Sequence, residues 1–389
     1  GADAATDAAS IDAALVAPVR PDAFVPIDLG PPVDAGPRLD VGALPDFPAA
    51  WPRSRGWSWV RTNDPMISAL SVRMGAPPAD AVNEYVDDFG ATAAHLWETG
   101  IPTAITGWTS ARPLPWLSWV DSDGNSRENG MLLGGPTRPA GVIGYQVGDE
   151  PRTREHFDQI MAGLARVAAA DPEPLRIFNF SFLAEEIDAY LAESCAGGNM
   201  DVIAYDHYSF GNGQFTDMMK FRQAALDCGV PYWRYLKGYE SDVDRRDDIV
   251  LAETDMRWDA FSGLLAGYTG HTWFLYNVAG GEMEGIPTTF FTETENWAAA
   301  RTPRFEMAAN INRALLVYGR AQSRLRSTGI GWFTEAALAG EHPPEGFPLW
   351  SPGLGGDPFL SAVRTEGGAP FFQDVMFGFF EDRFGDPYV

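Results

Sequence analysis

The feature that most restricts the fold is an alternation. Between residues 57 and 318, short runs of β-branched and aromatic residues are separated by longer stretches whose apolar residues recur every three or four positions. Eight runs read as strands: Trp57–Asn63, Thr92–Glu98, Pro102–Gly107, Val142–Val147, Leu175–Phe180, Asp201–Tyr205, Pro231–Leu236 and His271–Tyr276. Helices are predicted over Ala79–Phe89, Arg154–Ala169, Ala184–Cys195, Phe215–Cys228, Ile249–Tyr268 and Trp297–Tyr318. In the second of these, Phe157, Ile160, Met161, Leu164 and Val167 fall on one face. The pattern predicts an α/β chain folded as a (β/α)8 TIM barrel over residues 51–320, close to the roughly 250 residues usual for that fold. A doubly wound sheet would need a Gly-rich phosphate turn after its first strand, and Arg61-Thr62-Asn63-Asp64-Pro65 is not one. Residues 109–139, with Pro113, Pro115, Trp116, Trp119 and a turn signal at Asp123-Gly124, read as a long insertion.

The flanks are of another kind. Residues 1–50 contain eight Asp, two Arg, and neither Glu nor Lys. An Asp-Ala theme recurs, prolines interrupt any helix, and large apolar residues are too sparse to offset the entropy of ordering. A disordered leader is expected there. Residues 321–389 are rich in Gly, Pro and Phe and predict a C-terminal extension of loops and short strands. Asp374–Phe380 and Gly385–Val389 read as part of a hairpin, either packed on the barrel as a strand pair or opening a β-sandwich appendage. Cys195 and Cys228 each end a predicted helix. If the two helices are neighbours in a βα array, their ends lie close enough for a disulfide.

Composition excludes several functions. The chain has 28 Lys+Arg against 53 Asp+Glu and a net charge of −25, so no basic stripe is available to nucleic acid. Docking on anionic lipid is disfavoured for the same reason, and no apolar run is long enough to span a bilayer. The five His form neither HxH nor HExxH, so no metal is expected, and no cofactor motif is present. The Ser residues lack a GxSxG elbow. Thirteen Trp, none of them in the leader, point to a large aromatic core or to a surface that stacks on sugar rings.

In a (β/α)8 barrel the chemistry lies at the C-terminal ends of the strands. Strand four ends in Tyr145-Gln146-Val147-Gly148-Asp149-Glu150-Pro151. Adjacent carboxylates repel, which raises one pKa into the range a general acid needs. Asp149 and Glu150 are therefore the leading catalytic candidates, although an acid before a helix also serves as a cap. Acid/base chemistry that uses paired carboxyls needs a second one. Asp206, at the end of strand six, and Glu240, late after strand seven, are the candidates; Glu282 and Glu284 follow strand eight. The other strand ends supply Trp59, Asn63, Glu98, Trp108, Asn179, His207, Tyr208, Trp233, Tyr276 and Asn277, a set of flat aromatic faces and hydrogen-bonding groups suited to an oligo- or polysaccharide.

The strand-four end resembles the Asn-Glu-Pro and Asn-Glu signatures of retaining glycoside hydrolases built on (β/α)8 barrels. Glu150 matches their acid/base, and Asp149 stands where those families have Asn. The Gly-Asp-Glu run is also similar to the Asp-Glu pair of β-hexosaminidases, which implies, as an alternative, substrate-assisted cleavage with Asp149 orienting an acetamido group. A non-catalytic glycan-binding surface protein is the competing class. Asp/Ala/Pro leaders resemble those behind the lipidated cysteine of bacterial surface lipoproteins. That resemblance implies a secreted or cell-surface, outer-membrane protein held by an N-terminal lipid anchor.

Overall fold

The computed structural model describes residues 54–72, 76–97, 107–108, 113–120, 140–208, 212–240, 251–278, 289–293, 296–333, 347–354, 362 and 375–389. The leader expected over residues 1–50, Glu98, and the loop acids Glu282 and Glu284 lie outside these residues.

The described chain opens on a helix where a strand is expected. In α1 (Arg55–Thr62), Ser54 Oγ accepts from the Trp57 backbone N–H at 3.4 Å, and Asn63 closes the other end. Trp57, Val60 and Arg61 are buried three and four positions apart, which is helical spacing; the density of aromatics imitates a strand. The first barrel strand is β1 (Met66–Val72), followed by a short helix α2 (Ala79–Asn83) that runs into a π-helical turn, Glu84–Asp88. After β2 (Ala94–Trp97) the third strand is β3 (Trp116–Val120), which comes from the stretch read as an insertion and not from residues 102–107. Prolines 113 and 115 mark its entry, not a loop. From β4 (Val142–Val147) onward the units follow the expected order: α3 (Arg154–Ala170), β5 (Leu175–Ser181), α4 (Ile187–Gly197), β6 (Val202–Asp206), α5 (Asn212–Cys228), β7 (Tyr232–Lys237), α6 (Glu253–Ala266), β8 (Gly270–Val278) and α7 (Pro303–Gln322).

The eight strands form a closed parallel barrel in sequence order, and β1 pairs with β8 from Met66↔Gly270 to Val72↔Val278. Side chains fill the lumen in layers. Met66, Ala93, Leu117, Leu175, Ile177, Val202, Ala204 and Trp233 pack at the N-terminal mouth. Trp59 of α1 lies against this layer, its ring 5.7 Å from that of Trp233 and edge-on to it. Gly270 makes room for the Trp233 indole: a Cβ there would meet the ring at 2.5 Å. Polar groups sit higher, with Ser68 and Thr272 hydroxyls bonded at 2.9 Å.

Polar ties hold the helical jacket. Tyr85, in the π-helical turn, accepts from Ala69 N at 2.8 Å and donates to Ala93 O at 2.9 Å, joining β1 to β2. Arg234 of β7 and Asp259 of α6 form a fully buried ion pair, and Gln214 of α5 also donates to Asp259, at 2.6 Å. Cys195 and Cys228 are disulfide-bonded with Cα atoms 5.1 Å apart, linking the ends of α4 and α5. The C-terminal extension is a three-stranded antiparallel sheet in the order β11 (Pro387–Tyr388), β10 (Val375–Glu381), β9 (Arg326–Phe333). It packs on α6 so closely that a Cβ on Gly378 would lie 2.3 Å from Leu265 O. Among the described residues no helix is long and apolar enough to cross a membrane.

Trp59 thus plugs the mouth opposite the strand C-termini. Replacing it by Ala removes roughly half of a buried indole, an expected loss of about 2 kcal/mol in urea unfolding. Ligand affinity at the other mouth should be unaltered in the same variant.

Candidate active site

At the C-terminal mouth a cavity of about 240 Å3 is lined by at least one residue from each barrel strand or the turn after it. Asp149 and Glu150 follow β4, Asn179 lies in β5, Asp206 ends β6, and Tyr208 follows it. Leu70 of β1, Trp97 of β2, Trp119 of β3, Tyr235 of β7 and Phe274 of β8 complete the wall. The acids therefore occupy one side and apolar and aromatic faces the other. Trp97 and Trp119 stack face to face with centroids 4.4 Å apart and planes 7° from parallel.

Two consecutive residues of a regular strand point to opposite faces, yet Asp149 and Glu150 both reach this cavity. The backbone turns to allow it. Gly148 has φ 62° and Glu150 has φ 39°, both in the left-handed region, while Gly148 N bonds Val120 O at 2.9 Å and Glu150 N bonds Asn179 O at 3.1 Å. A glutamate held there costs on the order of 1 kcal/mol or more, so the surrounding contacts over-determine it.

Three carboxyls are thereby brought together. Asp206 is buried and lies within hydrogen-bonding reach of Glu150. Burial, that contact, and the charges of Glu150 and Asp149 hold the Asp206 pKa well above the usual carboxylate range. Asp149 is pushed up to about 8, first by its withdrawal from water and then by Glu150, against the opposing hydrogen bond from Asn179. Asn179 Nδ2 donates to Asp149 Oδ1 at 2.8 Å, and Gln146 Nε2 donates to the same oxygen at 3.3 Å. Glu150, the more exposed member of the group, pairs with Arg152 at 3.0 Å. Among the described residues no group of His, Cys, Asp and Glu is arranged to hold a metal ion.

Of the residues singled out from sequence, the fold brings Asp149, Glu150, Asn179, Asp206 and Tyr208 together. It does not bring Glu240, whose carboxylate pairs with the buried Arg304 at 2.6 Å and accepts from Leu251 N at 3.3 Å. Trp59, Asn63 and Trp233 lie at the N-terminal mouth because α1 precedes the first strand and Trp233 is only the second residue of β7. The Asn63 amide simply caps α1 by donating to Trp59 O at 2.9 Å. Trp108 is buried edge-on to Tyr85 at 4.9 Å, and Tyr276 packs outward among Tyr85, Phe89 and Phe291. Asn277 Oδ1 accepts from Ser71 Oγ at 2.8 Å across the β1–β8 seam. The His207 ring stacks on Phe182 and bonds Asp217 through Nδ1 at 2.7 Å, outside the cavity lining. Sequence reasoning missed Trp97, Trp119, Tyr235 and Gln146. The β2 assignment ended one residue past Trp97, and Trp233 and Tyr235 share the inward face of β7, where the two-residue rise carries Tyr235, not Trp233, to the upper layer.

No protein-family model matches the sequence, and no curated protein is significantly similar to it. Solved structures align at low identity. A protein from Bacteroides thetaiotaomicron whose α-L-fucosidase label is provisional is 12% identical over 38% of this chain and 52% of its own, with a TM-score of 0.29. This chain thus spans about half that protein's length. A xylanase of family GH10 from Thermobacillus composti is 10% identical over 66% of this chain and 99% of its own, with a TM-score of 0.40. The GH53 catalytic domain from Ignisphaera aggregans is 10% identical over 64% and 96%, also at 0.40. The fold assignment rests on the closed barrel itself, not on these alignments.

A carboxyl whose folded pKa is raised favours the native state below its unfolded pKa, and that advantage is lost as pH climbs towards the folded value. The cluster should therefore make unfolding easier as pH rises from about 4 towards 8. D206N, which removes one buried acid, should raise the denaturant midpoint at pH 7 and flatten that slope; an unchanged slope would contradict the clustering.

Proposed function

We propose that the protein is a glycoside hydrolase, with Glu150 and Asp206 as its proton-handling carboxyls and an oligo- or polysaccharide as substrate. One observation carries this reading: two acids in hydrogen-bonding contact face stacked indoles across a cavity at the C-terminal mouth of a closed barrel. The buried Asp206 keeps a proton in the pair at rest. Glu150, at the rim, relays that proton from Asp206 to the glycosidic oxygen as the C–O bond breaks, so that both acids end as carboxylates. Asp206 then faces the cationic sugar carbon, and water adds to that carbon while giving its proton to Asp206, which restores the resting pair. The indoles supply flat faces for the C–H side of a ring. Removing either acid stops the proton from moving, so both are needed.

A non-catalytic binding protein would have no use for Glu150 in contact with another acid. Substrate-assisted cleavage would ask Asp149 to be a carboxylate, and its pKa of about 8 leaves it mostly neutral at pH 7. Export to the cell surface on a lipid anchor belongs to the same proposal. It is supported by the composition of residues 1–50, and the Cys195–Cys228 disulfide suits an oxidising compartment.

E150Q and D206N should each lower hydrolysis of an aryl-glycoside or polysaccharide panel by about 10^3-fold or more while leaving glycan binding intact. E240Q should loosen the Arg304 contact without abolishing cleavage. Full activity in E150Q would defeat the assignment.

A further inference from the structure

Beneath the cavity, polar side chains form a directed chain across the barrel. The Tyr235 hydroxyl of β7 donates to Gln146 Oε1 of β4, Gln146 Nε2 donates to Asp149 Oδ1, and Asn179 Nδ2 of β5 donates to that same oxygen. The order of donors has a consequence. A primary amide can present either its oxygen or its nitrogen to a neighbour, and only the surrounding hydrogen bonds decide which. Gln146 is wholly buried, and the phenol on its oxygen side leaves the nitrogen for Asp149. Two N–H groups thus occupy Oδ1, and Oδ2 is the oxygen left to the cavity that Asp149 lines.

We propose that Tyr235, acting through Gln146, is a positioning residue that directs the amide N–H at Asp149 Oδ1, while the acid cluster keeps Asp149 a neutral hydrogen-bond donor with its Oδ2–H presented to a sugar oxygen of the substrate. This rests on the glycoside hydrolase reading for the identity of the ligand but not for the state of Asp149. The surroundings favour the neutral form. Facing Asp149 are the acids Glu150 and Asp206 and the phenols Tyr208 and Tyr235, while the buried His95 of β2 lies beside Gln146, its imidazole pushed down to about 3 by burial and so uncharged. Among the described residues the cation acting on it is Arg152, which is already paired with Glu150. Asn179 has a further role in this arrangement: its Oδ1 is buried without a hydrogen-bond partner beside the donor, so a ligand offering both a donor and an acceptor satisfies both groups. A hydroxyl has that dual character; a carboxylate or phosphate does not, and it would also meet the negative charge of the acid cluster. The site so described selects neutral over anionic sugars.

Two measurements test this. In protein labelled with 13C at aspartate Cγ, the resonance absent from D149N should titrate near pH 8; titration near pH 4 overturns the proposal whatever the protein cleaves. In kinetics on a hydrolysed aryl glycoside, kcat/KM should fall on an alkaline limb near the same pH. D149A should lower kcat/KM at pH 6 about a hundredfold, and D149N, which keeps the donor, should recover most of that loss and leave only the limb set by the Glu150–Asp206 pair. Y235F withdraws an orienting donor that indirectly favours the carboxylate, so its limb should move to higher pH. A purely structural Tyr235 would leave the limb in place and refute its role. Inactivity of D149N equal to that of D149A would refute the neutral donor. If Asp149 titrates near pH 8 but no glycoside is cleaved by the unaltered protein, the hydrolase reading fails and the neutral Asp149 stands.

Discussion

Everything at the site depends on the seam between β1 and β8. A parallel sheet left open has two edges and spreads its strand ends along a line; joined edge to edge, it gathers them into a ring about one cavity. Here Met66–Val72 pairs with Gly270–Val278, and the register slips between Ala69 and Ser71 where two extra β8 residues are taken up. Ser71 and Asn277 bond just above that slip. Without this closure, Leu70 and Phe274 could not face the acids that follow β4 and end β6.

The barrel is built with two unlike mouths. The N-terminal one is dry, filled by Trp233 and covered by Trp59 on α1. The C-terminal one concentrates carboxyls that repel each other and resist ionisation. This division lets the stable end hold the strands in register while the strained end keeps protons on its buried carboxyls. The buried Arg234–Asp259 pair and the disulfide, which joins the C-terminal ends of α4 and α5 on the side of the N-terminal mouth, reinforce the jacket and tie α4, α5 and α6 to one another and to β7.

Much of this was legible in the sequence, and for identifiable reasons. From Val142 onward each strand is a compact apolar run followed by an amphipathic helix, and β4 was delimited to the residue. The entry was harder. Trp57 and Trp59 carry strand-like composition on a helix, and β3 lies hidden between prolines and a turn signal. One misplaced strand moves a whole set of presumed strand-end residues to the wrong mouth, which is what befell Trp59 and Asn63. The acids at 149, 150 and 206 were found because charge at the end of a buried run has few structural uses. Tyr235 and Gln146 were not, since within a strand nothing in one sequence tells the upper layer from the lower. Glu240 was readable as an acid after β7, but its ion pair with Arg304 joins residues 64 positions apart and leaves no local trace.

On the role proposed for Glu150, its left-handed backbone sets stability and function against each other at a single codon. Glycine is the residue that relaxes there, and glycine carries no carboxyl. Variants enriched for thermal tolerance alone would drift towards Gly at this position and fall silent, whereas those enriched for turnover would retain the tension. The position can therefore report which pressure a lineage of this chain has been under.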